Sequence, residues 1–342
     1  SLVTLTTVGY GDLTPVTPLG HAVGAVFLLM SAGMLVTLLG AVISFVTSEG
    51  LPILMLGFQR RKNWYYFADY GSEATTLAAN IYREDADAVI IFGEKKDDQM
   101  EFPDHPCLFI SASPARIVSR KKNSGTRCKV FLMRENDIGV NSRAIDLHAL
   151  PVDVYARTTN GQDHLSGNIH FFHSYDCCAR QYWHKRPLCR HEDAIVIIGF
   201  GNYGRCILER AILTNIVSVT QHVAYHIFGD SKEFLAMHRH LHEMFSLDEV
   251  SDTCDSLIFH DGFWEDCHTI LESADRIIIC TDDVPEGWNI FWRLNRYYKI
   301  HGHIDLHSNR KAPGVSYFGT DEEIYTPNQI MRTTLNKAAV TI

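Results

Sequence analysis

In the 342-residue chain, residues 199–204 read Gly199-Phe200-Gly201-Asn202-Tyr203-Gly204, a GxGxxG loop. The loop follows the short apolar run of residues 194–198 and opens into residues 205–213, whose apolar positions recur at helical spacing. Strand, glycine loop and helix in that order form a cradle for a pyrophosphate. Each glycine then has a separate task. Gly199 makes the tight turn, Gly201 lets the backbone approach the phosphates, and Gly204 allows the helix to pack closely on the strand. Unpaired N–H groups and the positive dipole end at the helix start attract negative charge. The next strand-like run, residues 222–228, closes with Gly229-Asp230, and Asp230 stands near the expected place of a ribose-binding carboxylate. An Asp there favours a free 2′-hydroxyl, so NAD(H) or an adenine nucleotide is expected rather than NADP(H). Arg205 could reach a phosphate or face solvent, and the sequence leaves both open. The competing reading is a retained fold with an empty loop.

A second glycine pattern lies near the start of the chain, where residues 4–12 read Thr4-Leu5-Thr6-Thr7-Val8-Gly9-Tyr10-Gly11-Asp12. From Thr6 to Pro15 (TTVGYGDLTP) this resembles the signature of potassium channels, in which TVGYG forms the selectivity filter. The resemblance implies that Thr7, Val8, Gly9, Tyr10 and Gly11 aim successive backbone carbonyls at one axis, where they replace the water shell of K⁺. Gly9 and Gly11 permit the unusual backbone angles this needs. Thr7 would add a hydroxyl at the inner mouth, Val8 and Tyr10 would pack into the pore wall, and Asp12 would sit at the outer mouth. One loop supplies a quarter of each oxygen ring, so a homotetramer is implied. The bland alternative is a glycine turn between soluble strands.

The next segment of the chain argues against that alternative. Residues 19–46 contain no Asp, Glu, Lys or Arg. At about 1.5 Å per residue they exceed the roughly 20 residues needed to cross a bilayer. His21 lies at the outer end, and Arg60, Arg61 and Lys62 follow the span, which assigns that side to the cytoplasm. Gly24, Ser31, Ala32, Gly33, Gly40 and Ala41 are small enough for close helix crossing. In the resembling channels a hinge glycine lies midway along the inner helix. Counted from Gly20 that position falls on Ser31, and Gly33, two residues on, is the hinge candidate; helix packing is its other reading. The chain opens at Ser1, without an initiator Met or signal peptide, and is expected to be a fragment with upstream spans missing.

The remainder reads as two soluble α/β units. Net charge is −9, which gives no reason to expect a nucleic-acid partner. The cysteines, without a CxxC pair, do not read as a secreted disulfide framework. In the first unit, strand-like runs near residues 63–68, 87–93, 107–110, 129–133, 152–155 and 169–172 alternate with helical stretches such as 72–81, as in a parallel sheet covered on both faces. Its first turn, Asp69-Tyr70-Gly71-Ser72-Glu73, keeps one glycine of the fingerprint, and its two acids would repel a pyrophosphate. This unit is expected to be structural. Asp97, Asp98, Glu101 and Asp104 form either a divalent-cation site or a solvated acidic loop. In the second unit further strands are expected at 256–260, 276–281 and 303–306 and a helix at 288–298. Asp282, Asp283 and Glu286 come after the strand at 276–281 and could touch a ribose or a cation. His238 and His242 share a helix face, but a surface helix explains them as well. Cys177, Cys178 and Cys189 lack metal-ligand spacing, so no metal site is assigned.

Filter, inner helix, basic linker and tandem Rossmann units resemble the bacterial potassium channels with RCK (TrkA-N-like) domains. The expected fold is a membrane pore loop plus one transmembrane α-helix, followed by two α/β Rossmann-like domains with parallel sheets. The expected divisions are filter and outer pore loop at 1–18, inner helix at 19–50, linker at 51–62, a first RCK domain with a degenerate loop at 63–190, a second with GxGxxG at 191–310, and an extension at 311–342 that begins a further domain. The resemblance implies a K⁺-selective homotetramer in the cell inner membrane with its C-terminal domains in the cytoplasm. A ring of nucleotide-binding units would gate it, without catalysis. A potassium-transport regulatory subunit, a vestigial-pore nucleotide sensor and a tethered dehydrogenase are the alternatives.

Overall fold

The computed structural model describes residues 15–47, 50–58, 62–93, 105–121, 127–134, 137–158, 167–215, 220–239, 245–246, 255–311 and 313–331. The filter, Thr7 to Gly11, and Asp12 lie outside these residues, as do Asp97, Asp98, Glu101, Asp104 and His242.

Helix α1 (Pro18–Thr47) has 30 residues and is about 45 Å long. Thr17 caps it, its Oγ1 accepting the Gly20 N–H at 3.1 Å. Its large apolar side chains, from Val23 to Phe45, are exposed around the whole circumference. Among the described residues it is the one helix long and apolar enough to cross a membrane, and an apolar surface on every side suits lipid or other helices. The hydroxyls of Ser31 and Thr37 donate back to the carbonyls of Leu28 and Met34, both at 2.9 Å, as a medium without water requires. The helix runs through Gly33 without a break, and the space beside Gly33 is open.

Helix α2 (Gly50–Phe58) replaces a plain connector. It docks on the first α/β unit by burying Leu56, 1% exposed, among Trp64, Tyr66, Val89 and Ile91.

That unit runs β1 (Asn63–Phe67), α3 (Ser72–Glu84), β2 (Ala88–Phe92), β3 (Cys107–Phe109), α4 (Pro114–Lys121), β4 (Cys128–Leu132), α5 (Asp137–His148), β5 (Asp153–Arg157) and β6 (Ile169–Phe172). The sheet order is β3-β2-β1-β4-β5-β6, every pair parallel. This is the Rossmann order. Alternation along the strands makes two different faces. Phe92, Phe67, Phe131 and Tyr155 form a continuous row of ring contacts, 4.9–5.4 Å between centroids, on the face covered by α3. Trp64, Tyr66, Val130 and Val154 face α2, α4 and α5.

Helix α6 (Ser174–Lys185) leads to the second unit: β7 (Ala194–Ile198), α7 (Asn202–Thr214), β8 (Ala224–Phe228), α8 (Lys232–Met237), β9 (Phe245–Ser246), β10 (Ser256–His260), α9 (His268–Ser273), β11 (Arg276–Ile279), α10 (Val284–Tyr297), β12 (His303–His307), β13 (Tyr317–Phe318), α11 (Asp321–Ile324) and α12 (Pro327–Met331). Its parallel sheet has the order β13-β12-β11-β7-β8-β10-β9. The Rossmann order thus recurs, with β9 added at one edge, and β13 carries the sheet past residue 310. One apolar cluster joins the units. It takes in Leu77 and Ile81 of α3, Tyr182 and Trp183 of α6, Ile207 and Leu208 of α7, and Ile324 and Ile330 of the tail. The Trp183 indole donates to the Ile207 carbonyl at 2.9 Å, and Asn80 donates to the Tyr325 carbonyl at 2.8 Å.

Beneath the second sheet Arg276 meets Glu192 in a two-pronged pair of 2.8 and 2.7 Å, with the residues 5% and 3% exposed. Next to it Tyr182 donates to Asp305 at 2.8 Å. Removing one member of a buried pair leaves the other charge stranded. Glu192→Gln is therefore expected to cost about 3–5 kcal/mol in denaturant unfolding, while replacing Arg276 and Glu192 together by apolar residues restores most of it.

Candidate functional site

The switch point of the second sheet, where the strand order reverses between the parallel neighbours β7 and β11, gathers the glycine loop. Gly199 has φ +92°, and a Cβ there would stand 2.9 Å from the Thr281 nitrogen on the neighbouring strand's extension. Only glycine fits both constraints. A Cβ on Gly204 would come within 2.2 Å of the Gly199 carbonyl oxygen, so helix α7 lies against the turn. Gly229, φ +146°, presses in the same way on the backbone of Phe200. Phe200 is buried against Phe234 and Phe259. This brings Asp230, at the end of β8, to the same edge as the loop. It is exposed, and its Oδ1 accepts the Lys232 N–H at 3.1 Å.

Other side chains in the motif are engaged. Arg205 forms an ion pair with Glu233, next to the loop rather than across it. Tyr203 is half-buried, with its ring 3.7 Å from that of His307 and edge-on to Tyr175 at 4.7 Å; burial raises its phenol pKa. The cradle also holds an acid. A Cβ on Gly201 would lie 2.3 Å from Asp282 Oδ2, and the Asn202 N–H donates to that oxygen at 3.3 Å. Spacing along the chain suggested Asp282 as a ribose or cation ligand; its contact with the loop depends on β11 lying beside β7, which no local pattern reveals. Asp283 instead begins α10, its carbonyl accepting the Gly287 N–H at 3.1 Å.

The corresponding turn of the first unit is closed by its own charges. Asp69, 4% exposed, takes Arg143 at 2.8 Å, and Glu73 takes Arg157 at 3.2 Å. A cavity of about 470 Å³ opens beside it between Tyr66, Gly93, Ser113 and Asp146, with Arg143 in its wall. Its cation is thus already paired. Among the described residues no group of three or more His, Cys, Asp or Glu is arranged to hold a metal. His238 pairs with Glu209 at 3.1 Å, Cys177 and Cys178 are buried in α6, and Cys189 is exposed.

Residues 1–48 match the model of a family described as "Ion channel". No curated protein sequence matches the chain. Among solved structures, GsuK bound to ADP is 14% identical, with a TM-score of 0.49, over 98% of this chain and 88% of that one. The GsuK channel bound to NAD is 10% identical, TM-score 0.47, over 97% and 76%. A shikimate 5-dehydrogenase from Mycobacterium fortuitum is 11% identical, TM-score 0.35, over 79% and 90%. These are remote likenesses.

No motif or spacing pointed to His307. It is 2% exposed, and its Nε2 has no hydrogen-bond partner among the described residues. Burial holds its imidazole pKa down to about 4, against 6.5 for the free side chain. The unfolded chain therefore takes up this proton first. Stability from a neutral His307 is complete above pH 6.5 and is lost as pH falls towards 4, by about 3 kcal/mol. His226, lowered to about 4 by burial and then by His260, adds in the same direction. Thermal unfolding of the protein in detergent at pH 7.5 and 4.5 is expected to give a lower Tm in acid. His307→Phe keeps a ring against Tyr203 and is expected to flatten that dependence.

Proposed function

We propose that the chain is a subunit of a potassium-selective channel whose cytoplasmic α/β units form a nucleotide-responsive gating ring. The observation that carries this reading is the TTVGYGDLTP sequence inside the segment that matches the ion-channel model, followed by an uncharged 30-residue helix. Thr7, Val8, Gly9, Tyr10 and Gly11 would supply carbonyl rings from four copies, and Asp12 would hold cations at the outer mouth. The membrane would be the cell inner membrane, with everything after α1 in the cytoplasm. The ion-channel match favours this over a transporter regulator or a vestigial-pore sensor.

In the second unit, Gly199, Gly201, Gly204 and the α7 N-terminus would receive the phosphates of NAD(H) or an adenine nucleotide, and Asp230 its ribose. The glycine geometry supports this, because each glycine stands where a Cβ would collide. A ligand there shifts the pore only if it binds one ring arrangement more tightly than the other, typically by about 1–3 kcal/mol per site. Gly33 is the candidate point of bending in α1. The mechanical link would be α2, whose Leu56 sits in the core of the first unit.

Conductance and gating are tested separately. In lipid vesicles the intact protein should pass K⁺ and reject Na⁺; equal passage of both ions would rule out the filter reading. In patch recordings Leu56→Ala should leave single-channel conductance unchanged and weaken the response of open probability to NAD⁺, NADH or ADP. An unaltered response would mean that α2 does not carry the movement.

A further inference from the structure

We infer that Asp282 is a built-in occupant of the phosphate cradle, which an incoming nucleotide must displace. This rests on the nucleotide reading of the glycine loop. Strand register puts the residue there. Strands β7 and β11 are neighbours, Ile198 opposite Ile279, so the residues just after β11 abut the turn just after β7. Asp282 Oδ2, Cγ and Oδ1 stand 2.3, 2.8 and 3.0 Å from where a Gly201 Cβ would be. The missing side chain of Gly201 is the opening through which a pyrophosphate would approach the backbone. The same Oδ2 accepts the Asn202 N–H, at the positive end of the 13-residue helix α7. A carboxylate and a phosphate want the same donor and the same dipole end, and two anions cannot share them.

The contact is also built to open. Asp282 is exposed and has no ion pair among the described residues. Asp69 in the first unit is the contrast, buried and tied to Arg143 and Arg134 at 2.8 and 3.8 Å. The backbone beneath Asp282 is fixed, because the Thr281 hydroxyl donates to the Asp283 carbonyl at 2.9 Å. Rotation of one side chain therefore clears the cradle. The fold keeps α7 capped while the site is vacant and gives the cap up to a ligand that brings its own negative charge.

The test compares the intact protein in detergent with its Asp282→Ala and Glu84→Gln variants by titration calorimetry, using ADP, NADH and inorganic pyrophosphate as probes. Glu84 ends α3 in the first unit and is exposed, so its variant removes the same charge outside the cradle. Asp282→Ala should bind all three roughly fivefold tighter than wild type, the gain expected from one capping carboxylate. Glu84→Gln should change little. Should Asp282→Ala fail to fold, Asp282→Asn should still give a smaller gain. Equal ADP binding by wild type and Asp282→Ala, or an equal gain in Glu84→Gln, overturns the occupant and leaves the nucleotide reading standing. A gain for pyrophosphate alone, with no binding of ADP or NADH, supports the occupant and ends the nucleotide reading. If no protein binds any probe, both fall.

Discussion

A parallel sheet has two apolar faces, and both must be covered before it is stable in water. That requirement organises everything after α1. In the first unit β1 offers Trp64 and Tyr66 to one face and Tyr65 and Phe67 to the other. The short helices α4 and α5 do not finish the first face, and α2, directly beyond the apolar span, contributes Leu56 and Ile53 to it. The opposite face is covered by α3, which meets the tail helices α11 and α12 of the second unit. The piece of chain nearest the membrane is therefore part of a hydrophobic core. It is not a tether.

This arrangement has a mechanical consequence. Close-packed interiors transmit strain because they have few empty spaces to absorb it. A rearrangement at the β7–β11 edge moves α7, which packs along α6. Helix α6 shares its cluster with α3, and α3 lies on the sheet whose other face holds Leu56. The connection is a sequence of packed contacts running from the glycine loop to α2. Two arrangements of that packing are what a ligand would choose between.

Much of the fold was legible from local pattern. The apolar β-rich runs Ile169–Phe172, Ala194–Ile198 and Ser256–His260 are strands with the ends read from sequence. Helix α10 starts four residues before the expected 288, at Val284, since Pro285 is suited to a first turn and Asp283 precedes it. The helical character of Gly50–Phe58 was missed, because a short apolar stretch after a membrane span shows no polar face of its own. The glycine loop was read from its spacing, and the positive φ of Gly199 bears out the tight turn. What spacing could not supply were partners distant in sequence. Arg276 and Glu192 are 84 residues apart, and Asn202 and Asp282 are 80 apart. Strand order alone brings such pairs together.

The two turns at the strand ends show how one fold can use the same charge for opposite purposes. In each unit a carboxylate lies at the turn between first strand and first helix. Asp69 belongs to the turn itself, is buried, and is neutralised by arginines from elsewhere in its unit. Opening that site would strand a buried charge, a cost of several kcal/mol. Asp282 comes from the neighbouring strand's extension, is exposed, and is held by one backbone N–H at 3.3 Å. Such a contact is worth about 1 kcal/mol, little enough for a phosphate to displace it. The difference lies in burial and partners, since the residue type is the same. The same carboxylate chemistry thus ties the first turn down with two arginines and leaves the second held by one N–H.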